Sequence, residues 1–187
     1  MEAEDAVVAV IDALDALGFD YMVVGSLSSN FYGVPRSTED ADFVVESGTK
    51  SLQNVLRRLG SEFLIEPQAS FETITMTMRH ILRAPASGFT IELFQLSDDK
   101  YDRERFRRRR RVRLYGRTVV LPTAEDVIVT KLFWALARKH PKDREDVRDV
   151  IAVQHMILDW DYINTWAAQQ GTQALLDEIR AEIPPGA

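Results

Sequence analysis

Asp40 and Asp42 stand two residues apart in DADFVVES, a segment in which carboxylates and apolar residues alternate. Alternation of period two is the pattern of a half-buried strand, and on a strand both carboxylates leave the same face with Cα atoms about 7 Å apart. They can share a cation. Ala41, Phe43 and Val45 then take the opposite face, which should pack into a core and hold the carboxylates rigidly. Upstream, Gly25-Ser26 ends the apolar run FDYMVV and precedes LSSNFYG. A turn between strand and helix offers backbone N–H groups and a helix dipole to an anion. Gly25 permits close backbone approach, and the Ser26 hydroxyl can cap the helix or donate to a phosphate. Each half is common in isolation. Combined, a carboxylate pair suited to magnesium and a phosphate-binding turn supply what phosphoryl or nucleotidyl transfer asks of a protein, which is chiefly positioning and charge neutralisation.

The elements that must position these groups follow from periodicity. Val7, Val10, Ile11, Leu14 and Leu17 predict an amphipathic helix from about Glu4 to Leu17, stopped by Gly18. A buried strand, a short helix ending at Gly33 and a polar loop from Pro35 lead into the strand of Asp40. A helix from about Thr49 to Leu59 follows, with Gly60 as its stop signal. The Thr- and Ile-rich stretch around Phe71 to Met78 reads as mostly strand. PASG is a hairpin turn before the strand FTIELFQL, and VRLYGRTVVLP is a second hairpin. From Thr123, which can cap a helix, only helical patterns remain: Lys142 to Gln154, Trp160 to Gln170 and Thr172 to Ile183. The expected fold class is α/β (α+β), a mixed sheet with helices packed mainly on one side. Residues 1–120 form this core and residues 121–187 a helical subdomain packed on it as one compact unit.

Composition narrows the chemistry. The 187 residues are 45% hydrophobic and 28% charged, ordinary for a globular chain. There is no cysteine, and the histidines His80, His140 and His155 are scattered, so thiolate and zinc-cluster sites are excluded and any metal should be oxygen-bound. No apolar run is long enough for a membrane span and the first residues are acidic where a signal peptide is basic, so the expected location is the cytoplasm. Arg103 to Arg117 holds nine arginines and one acid, a local charge of +8 in a chain of net charge −6, leaving −14 elsewhere. The Arg103–Arg113 band could bind RNA phosphates; the plainer reading is a solvated strand and loop balancing an acidic body.

Gly-Ser, thirteen residues, then Asp-Ala-Asp-Phe, in the order strand, helix, strand, resembles the signature of the DNA polymerase β-like nucleotidyltransferase superfamily. GVPRSTEDADFVV is similar to the "G-x-x-R-x-T-x-D-x-D" segment of its small bacterial branch, related to abortive-infection toxins and minimal nucleotidyltransferases. LPTAEDVIVTKLFWALARKHPKDREDVRDV resembles that branch's downstream helices, with "E-D-x-x-x-x-K" followed by "R-x-x-x-K-D-x-x-D". The likeness runs from about Leu14 to Val153, and LDWDYINTWAAQQG extends it.

The resemblance implies an enzyme that moves a nucleoside monophosphate from a nucleoside triphosphate to a hydroxyl on a protein, an RNA or a small molecule, and it permits a toxin–antitoxin or defence setting. It implies two Mg2+ ions, with Mn2+ as a substitute, held by Asp40, Asp42 and a third carboxylate on a later strand. Gly25 and Ser26 would meet the triphosphate. Glu92 interrupts the apolar strand FTIELFQL, where an unpartnered buried charge costs several kcal/mol and a magnesium ion would be its partner; Asp98 or Asp99 replaces it if the register differs. Arg36 and Thr38 contact phosphates or base, or only order their loop. Lys131 binds the nucleotide or snorkels to solvent. Asp143 caps its helix or pairs with an arginine, and Trp134, Trp160 and Trp166 fall at core positions. The contrasting reading is a catalytically silent, antitoxin-like binding module with the same fold.

Overall fold

The computed structural model describes residues 2–66, 70–72 and 77–184. In chain order these form α1 (Ala3–Ala16), β1 (Asp20–Val24), α2 (Gly25–Tyr32), β2 (Asp40–Glu46), α3 (Gln53–Leu59), a 3-10 turn (Gly60–Glu62), β3 (Leu64–Ile65), β4 (Ser70–Glu72), β5 (Thr77–Arg83) and β6 (Thr90–Gln95). There follow α4 (Lys100–Arg108), β7 (Arg110–Leu114), β8 (Arg117–Leu121), α5 (Ala124–Arg138), α6 (Pro141–Gln154), α7 (Trp160–Gln169) and α8 (Gln173–Glu182). Two compact units result: Met1–Gly25 with Thr38–Leu121, and Ser26–Ser37 with Pro122–Ala187.

The first unit is built on a mixed sheet of order β1-β2-β6-β5-β3, with β4 also paired to β5. Every pair is antiparallel except β2 with β6, whose parallel register sets Asp42 beside Glu92 and Asp40 beside Thr90. Period-two alternation sorts the side chains. Ala41, Phe43, Val45, Ile91, Leu93 and Leu82 share one face, each at 1% exposure or less. Helices α1 and α3 pack on each other, and α1 on β1, with Val10, Ile11, Leu14 and Val55 buried. Burying one such side chain contributes about 1.5–3 kcal/mol, so a one-residue slip of β2 would forfeit several of them at once. The face of Asp40 and Asp42 is divided along its length. Toward the C-terminal end of β2, Val44 joins Met22, Leu96 and Phe106 in a second apolar cluster. The carboxylates hold the other end.

Two local expectations need correction. The helix expected from Thr49 begins at Gln53, because Ser47 to Lys50 make a turn closed by Lys50 N–H donating to the Ser47 carbonyl (2.8 Å), with Gly48 at φ 53°. The arginine run does not start as strand and loop but as α4, capped by Asp99, whose carboxylate accepts from the amides of Tyr101 (2.8 Å) and Asp102 (3.2 Å). The charged residues that hide its periodicity stabilise it: Arg105–Asp102 and Arg107–Glu104 are i,i+3 pairs. Of the stretch expected to be mostly strand, residues 71–72 and 77–78 lie in β4 and β5, and residues 73–76 fall outside the described residues.

The second unit is helical. Thr123 caps α5, accepting from the Asp126 amide (3.3 Å) and donating to its carboxylate (2.8 Å). The Tyr162 hydroxyl donates to the other oxygen of that fully buried Asp126 at 2.6 Å, fastening α7 to the start of α5. Sequence order places Ser26–Ser37 with the sheet; it clusters instead with the C-terminal helices. Tyr32 Oη donates to the Pro122 carbonyl (2.9 Å), Gln154 Nε2 donates to the Tyr32 carbonyl (2.9 Å), and Gly33 lies against the α6 backbone at Val150. Trp166 is core as expected, but Trp134 and Trp160 are half-buried, with the Arg138 and Arg180 guanidinium groups over their rings at 3.9 and 4.2 Å. No helix among the described residues is long and apolar enough to cross a membrane.

Candidate functional site

In the first unit Asp40 opens β2 and is exposed, while Asp42 is half-buried on the same face. Thr38 reaches Asp40 from the preceding loop, its hydroxyl 2.8 Å from Asp40 Oδ1 and 3.2 Å from the Asp40 carbonyl. That contact limits the rotamers of the more exposed carboxylate. Gly25 stands against Asp42: at φ +63°, a Cβ on Gly25 would lie 2.1 Å from Asp42 Oδ2. A side chain is therefore excluded there twice, by the left-handed backbone and by the carboxylate. The sequence pairing of Gly25 with Asp42 is thus a direct packing relationship.

Glu92, in register with Asp42 across the parallel pair, presents its side chain on the same face. Glu92 is half-buried where burial was expected, and the cation beside it is an arginine: Arg79 Nη1 donates to Glu92 Oε2 at 3.0 Å. The alternatives have other work. Asp99 caps α4, and Asp98, 97% exposed, pairs with Arg103. Among the described residues no group of three carboxylates or histidines is gathered around one point as a metal cage. The donor chemistry nevertheless fits magnesium: Asp40, Asp42 and Glu92 are hard oxygen ligands on one face, and magnesium is held by one or two carboxylates together with substrate phosphates. Arg79 holds Glu92 through Oε2, which leaves Oε1 to face a metal.

The other residues expected to bind nucleotide lie in the second unit, joined in one network. Arg36 makes a two-pronged pair with Asp146, Nε to Oδ1 at 3.0 Å and Nη2 to Oδ2 at 3.2 Å, and Nη2 also donates to Ser26 Oγ at 3.1 Å. Asn30 fixes the Arg36 backbone, donating to its carbonyl (2.7 Å) and accepting from its amide (3.1 Å). Lys131 does not snorkel; it is buried, 2.7 Å from Asp143 and 2.8 Å from Asp146. Burial pulls Lys131 toward the neutral amine, but Asp146 and Asp143 outweigh it and raise its pKa above the ordinary lysine value. Burial likewise pushes Asp146 up, and the Arg36 hydrogen bonds with the Lys131 charge more than offset this, holding it below the usual carboxylate range. Two cations balance two carboxylates. Asp143 is paired, as one reading held, though with lysine in place of arginine.

Arg79 and Asp146 were not singled out as functional residues in the sequence. Asp146 is the last aspartate of the "R-x-x-x-K-D-x-x-D" pattern, so a signal existed. Arg79 has none, because its link to Glu92 depends on strand register. The arginine band is largely consumed internally: Arg103 pairs with Glu46 and Asp98, Arg105 with Asp102, Arg107 with Glu104, Arg109 with Asp20 and Arg117 with Asp12.

No protein-family model matches the chain, and no curated protein sequence matches it. Solved structures do. A nucleotidyltransferase-like protein described as antigenic, from Paracoccidioides brasiliensis, is similar over 97% of this chain and 94% of its own, at 20% identity and a TM-score of 0.58. ANT(2″)-Ia, in complex with adenylyl-2″-tobramycin, covers 95% of this chain and 97% of its own at 10% identity and a TM-score of 0.56. The lincosamide antibiotic adenylyltransferase LnuA, lincomycin-bound, covers 82% and 98% at 15% identity and a TM-score of 0.56. At these identities the likeness is one of fold, and the fold is that of nucleotidyltransferases.

Proposed function

We propose that the protein is a metal-dependent nucleotidyltransferase that transfers a nucleoside monophosphate from a nucleoside triphosphate to a hydroxyl acceptor. The observation that carries this reading is the packing of Asp42 on Gly25, with Asp40 two residues away on the same strand face and Glu92 in register beside it. Magnesium bound there would neutralise charge on the triphosphate and polarise the phosphorus under attack. Asp40 and Asp42 hold the cations, with Thr38 orienting Asp40, and Glu92 is the third ligand. Gly25 admits the triphosphate to the backbone. The acceptor oxygen bonds to the α-phosphorus as the bond to the β-phosphate oxygen breaks, pyrophosphate leaves, and the hydroxyl proton passes to the nearest carboxylate. Lys131 supports Asp146 and, through it, Arg36.

Internal pairing of five of the nine arginines disfavours RNA and leaves a small-molecule or protein hydroxyl. Incubation with each α-labelled triphosphate and magnesium, with aminoglycosides, lincosamides, RNA or cell lysate as acceptor, tests the reading. Labelled acceptor and released pyrophosphate support it; neither, in any arm, overturns it. A lysate arm labelling one protein would favour a toxin–antitoxin or defence setting.

The second reading, a silent binding module, draws on the Arg79–Glu92 pair, since an arginine on the third carboxylate is what a site without metal would keep. Triphosphate binding without turnover would favour it.

A further inference from the structure

The order of the sheet sets the carboxylates of β2 between two different neighbours. On one side β1 brings Val24 into register with Asp42 and ends at Gly25, where the triphosphate is admitted. On the other side lie β6 and β5. An in-line displacement puts the attacking and leaving oxygens on opposite sides of the phosphorus, so pyrophosphate leaving on the Gly25 side gives the β6–β5 side to the acceptor. There one row of residues crosses three strands on the carboxylate face, with Asp40 opposite Thr90 and Thr90 opposite Arg83. The Arg83 guanidinium reaches back along this row: Nη1 is 3.4 Å from Thr90 Oγ1, and Nη2 donates to Glu66 Oε1 at 2.9 Å. Those contacts leave most of its five N–H groups open, and the side chain is 52% exposed. The pair with Glu66, itself 40% exposed, is single-pronged, and a surface pair of that kind contributes at most about 1 kcal/mol. Arg79, on the same face of β5, is committed to Glu92 and Ser70.

We propose that Arg83 is an acceptor-specificity residue, binding a phosphate monoester on a small-molecule acceptor whose hydroxyl is presented to Asp40. The inference rests on the nucleotidyltransferase reading and names the acceptor class for it. A phosphate dianion carries more charge than the Glu66 carboxylate and matches the guanidinium fork with paired oxygens, so it displaces or shares that weak pair. A carboxylate-bearing acceptor would meet Glu66 on equal terms. A cationic acceptor would meet Arg83 itself. One guanidinium serves one phosphate, which fits a monoester better than a strand of RNA. With its Nη1 edge at Thr90, one strand away from Asp40, Arg83 holds the anion about 5–8 Å from that carboxylate. That is the span between the phosphate and the ring hydroxyls of a hexose 6-phosphate.

The test is calorimetric titration of the full chain, saturated with Mg2+ and an α,β-methylene triphosphate, with glucose 6-phosphate, glucose and glucosamine. The three probes share one ring and differ in charge. Wild type should bind glucose 6-phosphate about tenfold more tightly than either of the others, the gain of one charge-assisted contact. Arg83→Gln should bring glucose 6-phosphate down to the affinity of glucose while the triphosphate binds as before, and Arg83→Lys, which keeps the charge but not the fork, should fall between. Glu66→Gln removes the competing carboxylate and should tighten glucose 6-phosphate by about threefold. If Arg83→Gln is not folded, Glu66→Gln decides: tighter binding supports the inference, and unchanged or weaker binding overturns it. Equal affinity for the three probes, preference for glucosamine, no binding of glucose 6-phosphate to the loaded wild type, or unchanged binding in folded Arg83→Gln overturns this inference alone. Wild type that does not bind the triphosphate with Mg2+ overturns the nucleotidyltransferase reading with it.

Discussion

Asp42 Oδ2 lies where a side chain on Gly25 would begin, 2.1 Å from the position of its Cβ. The glycine and the carboxylate occupy one volume between them, so the geometry of either is set by the other.

Gly25→Ala should therefore act on the site more than on the fold. The left-handed φ costs about 1–2 kcal/mol wherever it occurs, and Gly48→Ala, at φ +53° with nothing within 4 Å, measures that cost alone. Gly25→Ala should lose more than Gly48→Ala on thermal melting, because it must also displace Asp42, and only Gly25→Ala should lose magnesium-dependent triphosphate binding. Equal binding in both would show that the Gly25–Asp42 contact has no role in the site.

Asp146→Asn tests the buried network of the second unit. Removing one partner of a buried pair costs about 3 kcal/mol near neutral pH. The Asp146 pKa is depressed, so its contribution is present above the ordinary aspartate value near 3.9 and is lost as pH falls through the lowered one. Lys131 is raised, so its contribution is complete below about 10.4 and is lost as pH rises beyond that. The stability gap between wild type and variant should be flat from about pH 5 to 9.5 and narrow on both sides. A gap independent of pH would exclude the ionic origin.

RNA binding should be slight. Replacing Arg107 to Arg111 by glutamine should leave triphosphate binding intact, and filter-binding of single-stranded RNA should show a log–log salt slope near zero in wild type. Each phosphate contact would add about −0.7 to that slope. A steep slope that the glutamine variant flattens would restore RNA as acceptor.

The sequence revealed what depends on period and spacing and hid what depends on register. Alternation in DADFVVES set the faces of β2 correctly, because one face is core and the other carries charge. Glycine at 25 was legible as a place of close approach, though the neighbour expected was a phosphate and the one found against it is Asp42. The Arg79–Glu92 pair was invisible because it joins strands whose pairing no local pattern specifies. Helix α4 was missed because four of its nine residues are arginine, so its apolar stripe shrinks to Tyr101 and Phe106. Ser26–Ser37 was assigned by chain order, whereas Arg36–Asp146 and Tyr32–Pro122 tie it to helices about a hundred residues away.

The central claim is tested most directly by release of pyrophosphate and transfer of label from α-labelled triphosphates, measured for wild type, Asp40→Asn, Asp42→Asn and Glu92→Gln. Magnesium-dependent transfer in wild type, stopped by a chelator and reduced at least a hundredfold in each of the three folded variants, is the expected result. Transfer that survives in both asparagine variants, or its absence from wild type with every triphosphate and acceptor class, would contradict the account.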